Sequence, residues 1–449
     1  MTLRFIGPEV KGLRVKTQPL DEFRFALHQQ PKPFNSLSFS TPLLTADDNA
    51  LEQNLEAMAS ACEKYGVWLA PHVKTHMSPD LWRRQAERGA WAPTVAMPHQ
   101  LRAVYNWGVK RILLANELVD TFDLAWIAGT LASDPDFEIW FEVDSLAGVD
   151  LLAMGLGFFY CSEVATRIHP LVEVGVPGGR TGVRSVAEAV EVARALAGAG
   201  FQVSGVIGFE GPVAATSRSE DLAAVRDWVD GVIAIAEAVN EVAAQTGRLP
   251  CAETHWGDEP CEFISETQKF IVSIGGSAYI DIVLPKLGEL AARGWQGVIR
   301  SGSYLTHDAV HYAELDPWSR LPGEFSVTPA LTVITQVLSI PEPGLALLGA
   351  GKRDISTDLD MPIPIWWRPS VATELGNTLG SEKAFIGSAC IREVNDQHAF
   401  LQYDEKATPL AVGDLVGLSP SHPCTTFDKW RHLAVLQGDK VTDLYPLDF

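Results

Sequence analysis

The chain has 449 residues, enough to bury one large core or two ordinary ones without disulfide or metal staples. Its 35 Lys and Arg residues against 56 Asp and Glu residues give a formal net charge of -21 at pH 7, which disfavours a nucleic-acid partner. An apolar fraction of 47% is ordinary for a globular protein and excludes a disordered or collagen-like chain.

Membrane and secretion signals are lacking in the sequence. No window of about 18 uncharged apolar residues is found, and residues 1–10 lack the apolar run of a signal peptide. The six cysteines are spread along the chain without CxxC spacing, which is typical of a reducing compartment. We therefore expect a cytoplasmic protein that does not bind membranes.

From about residue 42 the chain alternates short β-branched runs with longer helical stretches. One strand is predicted to open near Leu43, and seven more are predicted over Val67–Val73, Ala92–Ala96, Arg111–Ala115, Glu138–Val143, Leu171–Val174, Gln202–Gly208 and Lys269–Ile274. Helices are predicted between them, for example over Ser185–Ala199 and Ser219–Thr246. Eight parallel strands with intervening helices predict an α/β fold, a (β/α)8 TIM-type barrel over residues 41–297.

After Gly297 the pattern changes to short strands and turns without a long helix. Strands are predicted there over Val298–Leu305, Leu331–Ile340, Leu345–Gly349, Ala384–Val394, His398–Tyr403 and Leu415–Leu418. This pattern predicts a smaller, β-rich C-terminal domain over residues 298–449. Residues 1–40 form an N-terminal extension, which we expect to pack on the outside or to donate a strand to that second domain.

A lysine stands at the end of one predicted strand. In Trp68-Leu-Ala-Pro-His-Val-Lys-Thr-His76, Lys74 follows an apolar run and so lies at the C-terminal mouth of a barrel strand, where barrel enzymes keep their chemistry. A half-buried lysine loses proton affinity and can act as an amine nucleophile and then as a base. The alternative is a surface lysine. By strand alternation, His72 and His76 are predicted to point to the same side as Lys74 in a supporting role.

Several ordered motifs resemble one family. They are Thr41-Pro-Leu-Leu, Pro71-His-Val-Lys-Thr-His76, Ile112-Leu-Leu-Ala-Asn116, Val143-Asp-Ser145, Val172-Glu-Val-Gly-Val-Pro-Gly-Gly-Arg-Thr-Gly-Val183, Arg300-Ser-Gly-Ser-Tyr304 and Pro420-Ser-His-Pro-Cys424. Over residues 41 to 430 they are similar to the fold-type III, alanine racemase-like pyridoxal phosphate enzymes, on the D-serine dehydratase and D-threonine aldolase branch. The resemblance implies pyridoxal 5'-phosphate as cofactor and Lys74 as its Schiff-base lysine.

A glycine-rich turn, Ser273-Ile-Gly-Gly-Ser277, follows the last predicted barrel strand. Glycine backbone N–H groups at a barrel mouth can approach a phosphate closely, and a serine hydroxyl adds a donor. Ser273, Gly275, Gly276 and Ser277 are therefore predicted to bind the cofactor, with an ordinary turn as the alternative.

Two further side chains are assigned to the cofactor site. Arg180, in Gly178-Gly-Arg-Thr-Gly182, could orient the cofactor ring or bind the substrate carboxylate through its planar fork. Tyr304 matches a tyrosine motif of the resembled family and is expected to contact the cofactor, unless it is a core residue at the domain junction. The chain departs from the family at Phe209, where relatives often carry a tyrosine, so the partner of the pyridine nitrogen is left open.

His422 and Cys424 lie two apart in Ser421-His-Pro-Cys-Thr425. In an extended segment residues i and i+2 project to the same side, and one nitrogen with one sulfur favours Zn. Two protein ligands leave coordination positions open, as in a catalytic site. The alternative is a buried thiol beside an ordinary histidine. The pair resembles the zinc pair of D-serine dehydratase, which implies a divalent metal, Zn.

The polar insertion at residues 251–261 is expected to be a mouth loop that shapes specificity.

The resemblance implies a pyridoxal phosphate- and metal-dependent lyase. The favoured activity is that of a D-serine dehydratase, which eliminates water from a small D-3-hydroxy amino acid to give a 2-oxo acid and ammonia, because the aldolase branch tends to carry His with Asp. Cleavage to glycine and an aldehyde, as by D-threonine aldolase, is the alternative. A cofactor-handling protein without catalysis is a remote one, since such single-barrel relatives lack the second domain and the His-x-Cys pair. A homodimer is implied by the resemblance alone.

Overall fold

Eight parallel strands form the first sheet of the computed structural model, which describes residues 4–159, 162–246, 269–323, 325–373 and 376–449. In chain order these strands are Trp68–Leu69, Thr94–Val95, Arg111–Glu117, Glu138–Val143, Ile168–Val174, Gly205–Phe209, Ile271–Gly275 and Gln296–Ile299. Each pairs with its neighbour in sequence, the last pairs with the first, and a bridge between His72 and Thr94 joins the first to the second. The sheet is therefore a closed (β/α)8 barrel, as the sequence predicted.

Helices connect these strands, and their ends follow local capping rules. They are Asp48–Tyr65, Pro79–Glu87, Pro98–Asn106, Thr121–Ser133, Leu146–Leu156, Val186–Gly198, Ser219–Thr246 and Ile280–Glu289. The side chains of Asp47, Ser78 and Ser145 each accept a hydrogen bond from a first-turn N–H of the helix that follows. Short 3-10 turns lie at Val73–Thr75, Gly157–Phe159, Glu163–Arg167, Leu290–Arg293 and Ser303–Leu305.

Side chains fill the inside of the barrel at its lower end. A buried cluster there consists of Ala70, Leu113, Trp140, Leu171, Ile207, Ile271 and Val298. These residues come from different strands and point inward, so the barrel is a packed core and not a pore. The carboxyl ends of the strands meet at the mouth of the barrel, where barrel enzymes keep their chemistry.

The second sheet is β-rich and mostly antiparallel. Its strands are Lys32–Pro33, Leu43–Asp47, Leu331–Glu342, Leu345–Leu348, Ile363–Arg368, Ala389–Val394, Ala399–Tyr403, Leu415–Ser419, His432–Gln437 and Lys440–Pro446. A separate hairpin pairs Ser370–Thr373 with Gly376–Leu379. Three short helices, His311–Leu315, Pro317–Arg320 and Pro423–Phe427, lie in this half of the chain. The combination of a barrel and a β-rich domain confirms the predicted fold class.

Two strand assignments made from the sequence were wrong. Leu43–Asp47 is not a barrel strand: it pairs antiparallel with Leu331 to Ile334 and parallel with Ala434 to Leu436 in the second sheet. The eighth barrel strand is Gln296–Ile299, which the sequence pattern had assigned to the second domain. Both segments are apolar and buried, and such a run does not reveal which sheet it joins.

Residues 4–40 lie against the second sheet. Phe5–Ile6 pairs with Gln18–Pro19, the helix Leu20–Gln29 follows, and Lys32–Pro33 pairs antiparallel with the strand Lys440–Pro446. Arg24 of this helix bonds Asp80 of the barrel and Asp443 of the second sheet. The N-terminal segment therefore contacts both halves of the molecule. Among the helices in the described part of the chain, none is long and apolar enough to cross a membrane.

Candidate active site

Lys74 lies in the 3-10 turn Val73–Thr75, directly above the first barrel strand. The turn is followed by Ser78 and Pro79, which start the next helix, so the lysine stands at the barrel mouth. Burial lowers the pKa of Lys74, and the positive charges of Arg180 and Arg300 lower it further, while Cys424 and Glu142 act in the opposite sense. An amine with a lowered pKa is the form that attacks a carbonyl carbon.

The two histidines that flank Lys74 lie in different surroundings. Because residues 73–75 form a 3-10 turn, the alternation assumed from the sequence was wrong here. His76 is buried in the core, where its Nδ1 accepts from Ser78 N and its Nε2 lies 3.3 Å from Gln85 Oε1. His72 lies nearer the site: burial, with the charges of Lys74 and Arg300, holds its pKa well below the ordinary value.

Arg300 belongs to the motif Arg300-Ser-Gly-Ser-Tyr304, but no role at the site was predicted for it. It follows the eighth barrel strand and is 3% exposed. Its Nη1 donates to Ser273 Oγ at 2.6 Å, and its Nη2 donates to Gly208 O at 2.6 Å. Ser273 in turn donates to Val298 O at 3.2 Å. The predicted cofactor residue Ser273 is thus held in the barrel wall by Arg300.

The glycine-rich turn follows the seventh strand and leads into the helix Ile280–Glu289, an arrangement that suits a phosphate group. Gly276 has φ +133°, in a region that favours glycine, and a Cβ on it would overlap the Glu210 carboxylate. A Cβ on Gly275 would lie 2.7 Å from Arg300 Nη2. Ser277 is buried. Close neighbours therefore disfavour a side chain at both glycines, and backbone conformation favours glycine at position 276 as well.

Several buried polar atoms without a hydrogen-bond partner lie around this mouth. Within the described ranges they include both carboxylate oxygens of Glu210, Arg300 Nε, His72 Nδ1 and Glu173 Oε2. Burial raises the pKa of Glu210 to about 8, so this carboxyl is mostly protonated at neutral pH and can donate a hydrogen bond. Unpaired buried polar atoms are costly, so their concentration fits a site that receives a polar group such as pyridoxal phosphate.

Arg180 lies in the loop after the fifth barrel strand, at the same mouth. Its guanidinium carbon stands 5.9 Å from the centroid of the Phe209 ring. Both residues line a small cavity together with Glu173 and Thr181. The aromatic ring at position 209 thus supports the arginine, although it lacks the hydroxyl that relatives often carry there.

Tyr304 lies in the 3-10 turn Ser303–Leu305, which follows the eighth barrel strand. It is 1% exposed, and its hydroxyl accepts a hydrogen bond from Gln85 Nε2 at 3.0 Å, while Gln85 also contacts His76. Burial raises the pKa of Tyr304. This position agrees with the alternative of a core tyrosine at the domain junction.

Three carboxylates gather at the mouth and were not predicted. Carboxylate oxygens of Glu117, Asp144 and Glu173 lie within 4.8 Å of one another. Burial and the neighbouring acids raise the pKa of Glu117 to about 9, and burial raises the pKa of Glu173. Thr181 Oγ1 donates to Glu173, and Gly182 N donates to Asp144, at 2.9 Å each. These acids face the basic groups of the site, and a sequence pattern offers no signal that brings them together.

The predicted pair His422 and Cys424 lies at the start of the helix Pro423–Phe427, which packs on the turn that carries Lys74. His422 Nδ1 lies 2.6 Å from Asp358 Oδ2, and Cys424 Sγ lies 3.3 Å from Thr75 Oγ1. Although burial alone would have the opposite effect on each group, the hydrogen bond between the pair raises the pKa of His422 to about 9 and lowers that of Cys424. Adjacent nitrogen and sulfur donors, with a carboxylate on the other ring nitrogen, fit a divalent metal such as Zn.

The structure therefore brings Lys74, the glycine-rich turn, Arg180 and the His422–Cys424 pair to one side of the molecule, and it leaves Tyr304 in the core. The insertion at residues 251–261, expected to shape specificity, lies outside the described residues.

Comparisons with known proteins find related enzymes. A family model described as "Putative serine dehydratase domain" matches residues 330–436. The chain is 25% identical over 413 residues, 91% of this chain and 92% of that protein, to a D-threonine aldolase from Arthrobacter sp.. It is 23% identical over 261 residues, 57% of this chain and 65% of that protein, to a D-threo-3-hydroxyaspartate dehydratase from Delftia sp. (strain HT23).

Solved structures are similar over most of the chain. A D-threonine aldolase from Filomicrobium marinum gives a TM-score of 0.70 at 22% identity, over 91% of this chain and 95% of that one. A D-threo-3-hydroxyaspartate dehydratase, solved as a cysteine-to-alanine mutant in the metal-free form, gives 0.67 at 18% identity, over 91% and 97%. An alanine racemase-like protein from Idiomarina loihiensis gives 0.65 at 16% identity, over 91% and 96%. At such identities these likenesses show the fold alone.

The fold is thus a (β/α)8 barrel joined to a β-rich domain, and an alanine racemase-like protein is among its structural neighbours. The sequence matches confirm the resemblance to the D-serine dehydratase and D-threonine aldolase family that the sequence motifs carry. The relatives are named as aldolases and dehydratases, which are lyases, the enzyme class expected from the sequence.

Proposed function

We propose that the protein is a pyridoxal phosphate- and metal-dependent dehydratase that eliminates water from a small D-3-hydroxy amino acid, giving a 2-oxo acid and ammonia. The observation that carries the proposal is the position of His422 and Cys424 beside the turn of Lys74. This arrangement puts a nitrogen and sulfur donor pair next to an amine of lowered pKa.

Lys74 would hold the cofactor as a Schiff base, the turn from Gly275 to Ser277 would bind its phosphate, and Arg180 would orient the ring or the substrate carboxylate. When bound, pyridoxal phosphate supplies an electron sink that makes the substrate α-proton acidic. The free amine of Lys74 would accept this proton, because burial and the two nearby arginines favour its neutral form.

His422 and Cys424 would hold the divalent metal, with Zn expected from the donor set. A metal held there supplies Lewis acidity for the departure of the β-hydroxyl group.

Aldol cleavage to glycine and an aldehyde is the second candidate. It is favoured by the D-threonine aldolase from Arthrobacter sp., which matches over 91% of the chain, whereas the dehydratase relative matches over 57%. We give the dehydratase preference because the second ligand of the pair is Cys424, where the aldolase branch tends to carry aspartate.

Product analysis separates the two activities. The purified protein is incubated with D-serine, D-threonine and D-threo-3-hydroxyaspartate in the presence of pyridoxal phosphate, with and without a chelator. A 2-oxo acid and ammonia, lost on chelation and restored by Zn, are expected. Glycine and an aldehyde in their place would establish the aldolase.

Lys74→Ala tests the cofactor assignment. The variant is expected to lose the visible absorption of the lysine-bound cofactor and all turnover, while Lys406→Ala, at an exposed turn of the second sheet, retains both. Full activity in Lys74→Ala would overturn the central assignment.

We also propose a homodimer. Exposed apolar side chains follow several consecutive barrel strands at the mouth, namely Met97, Val119, Phe122, Leu146 and Val186. A rim of this kind suits burial by a second copy of the chain. Light scattering should give twice the chain mass, and Phe122→Ser should weaken the association; a monomer at micromolar concentration would contradict the proposal.

A further inference from the structure

Asp358 holds the histidine of the candidate metal pair. It lies in the loop between the strands Leu345–Leu348 and Ile363–Arg368, and one carboxylate oxygen, Oδ2, is 2.6 Å from His422 Nδ1. The other oxygen accepts a hydrogen bond from Thr425 Oγ1 at 2.8 Å. Because both oxygens are engaged, the carboxylate is fixed in orientation, and only Nε2 of the imidazole remains for a metal.

Ser356 fastens the same loop to the pair through the backbone. Its hydroxyl donates to His422 O at 2.9 Å and accepts from His422 N at 3.2 Å, and Thr426 Oγ1 donates to the same hydroxyl. The loop that carries Asp358 is therefore attached to His422 by both side chain and main chain. A rigid attachment of this kind keeps the imidazole ring in one place before a metal binds.

Thr75 contacts the other member of the pair. It is 2% exposed, and its Oγ1 is 3.3 Å from Cys424 Sγ. A threonine hydroxyl can donate to a thiolate and so fixes the direction of the sulfur lone pairs. Thr75 follows Lys74 directly in the 3-10 turn, so one short turn carries both the candidate Schiff-base amine and the partner of the cysteine.

We infer that Asp358 and Thr75 are positioning residues for the metal pair: Asp358 keeps the proton of His422 on Nδ1 and leaves Nε2 to the metal, and Thr75 orients the sulfur of Cys424. The inference rests on the proposed function, since it presumes that a metal binds this pair. Thr75 also couples the geometry of the metal ligands to the turn of Lys74, which links metal binding to the position of the base.

Isosteric variants isolate these contacts. Asp358→Asn keeps the shape of the side chain but can present an N–H to Nδ1, which favours the tautomer whose Nε2 carries the proton and cannot bind a metal. Loss of a carboxylate partner of a metal-bound histidine typically weakens metal affinity by about 10- to 100-fold. Thr75→Val removes the hydroxyl at nearly constant volume, and Thr75→Ser restores it.

The experiment is a competition titration of Zn against a chromophoric chelator, performed on the cofactor-loaded protein. We expect the Kd for Zn to rise at least about tenfold in Asp358→Asn and by a smaller factor in Thr75→Val, with recovery in Thr75→Ser. Asp360→Asn is the matched control, because this exposed aspartate of the same loop bonds Met361 N and not the pair. The absorption of the bound cofactor and the thermal midpoint of the metal-free protein should stay unchanged in all variants.

The outcomes are distinguishable. If the wild type binds Zn, if His422→Ala abolishes binding, and if Asp358→Asn binds within twofold of the wild type, the positioning role is refuted while the metal pair stands. If the wild type and His422→Ala give the same weak binding, the metal pair and the inference both fail. Thr425→Val, which frees only the second oxygen of Asp358, gives an independent check and should weaken Zn binding less than Asp358→Asn does.

Discussion

Glu210→Gln tests the electrostatics of the candidate cofactor site directly. Glu210 is fully buried between the glycine-rich turn and Arg300, and both of its carboxylate oxygens lack a hydrogen-bond partner. Burial raises its pKa from 4.5 to about 8, against the opposing charge of Arg300. Glutamine has nearly the same shape and no charge, so the substitution removes the titration and leaves the packing in place.

The magnitude follows from linkage. The folded protein holds this proton more tightly than the unfolded chain, so stability is highest below the ordinary pKa of 4.5 and falls as the pH rises towards about 8. The loss is ~1.4 kcal/mol for each pH unit in that window. Relative to pH values below 4.5, the free energy of unfolding is therefore lower by about 1 kcal/mol at pH 5 and by about 4 kcal/mol at pH 8. Between pH 5 and pH 8, the free energy of unfolding of Glu210→Gln should therefore rise by about 3 kcal/mol relative to that of the wild type.

Urea unfolding of the cofactor-free protein at pH 5 and pH 8 measures this change. With an m-value near 3 kcal/mol/M, the difference between the two midpoints should move by roughly 1 M between these pH values. Glu191→Gln, on the exposed face of the helix Val186–Gly198, is the matched control and should show no such pH dependence. Parallel behaviour of Glu210→Gln and the wild type at both pH values would refute the claim that this carboxyl is neutral and unpaired.

Two further predictions concern the glycine-rich turn and the N-terminal segment. Gly276→Ala places a Cβ against Glu210 at a φ of +133°, so we expect pyridoxal phosphate affinity, measured by absorbance titration, to fall by about tenfold or more, which is ~1.4 kcal/mol. Arg24→Met leaves the buried Asp80 and Asp443 without their bidentate partner. We expect the free energy of unfolding to fall by about 2–3 kcal/mol, since Arg83 still contacts Asp80 and His28 still contacts Asp443. Burial alone would raise the pKa of Asp443, but Arg24 holds it below its ordinary value, so this loss is present at neutral pH and disappears as the pH falls through that lowered pKa.

Each of these two predictions has a control in the chain. Gly231→Ala lies in the helix Ser219–Thr246, where a Cβ meets nothing within 4 Å, and it should leave cofactor affinity unchanged. Arg353→Met removes the exposed pair with Asp396 and should cost less than about 1 kcal/mol. Equal effects in test and control variants would show that local contacts at Gly276 or Arg24 are not the cause.

Local sequence signals predicted most of the barrel because its strands and helices obey local rules. The helix Ser219–Thr246 was predicted with the bounds it has, and Pro79 and Ser145 mark helix starts through proline and capping preferences that act within one turn. Lys74 was placed at the barrel mouth because the apolar run before it is local information. The glycine-rich turn was found for the same reason.

The rest of the site depends on contacts between distant parts of the chain. Asp358 is 64 residues from His422, and Arg300 reaches Gly208 across 92 residues. Nothing in the composition around Glu210 distinguishes it from a surface acid, and surface acids are much commoner than buried ones. The tertiary fold alone brings these side chains to the barrel mouth, so their roles require the structure.

The misassigned strand Leu43–Asp47 explains how the two halves of the site meet. It pairs with Leu331 to Ile334 and with Ala434 to Leu436 in the second sheet, and at Asp47 the chain passes without a linker into the helix Asp48–Tyr65, which packs on the barrel. A strand fixed by ladders on both edges and continued by a buried helix allows little rotation between the two sheets. Because the pair at residues 422–424 follows a strand of that second sheet, this junction sets its distance from the turn of Lys74. The proximity of amine and metal pair is therefore a consequence of where residues 43–47 join the fold.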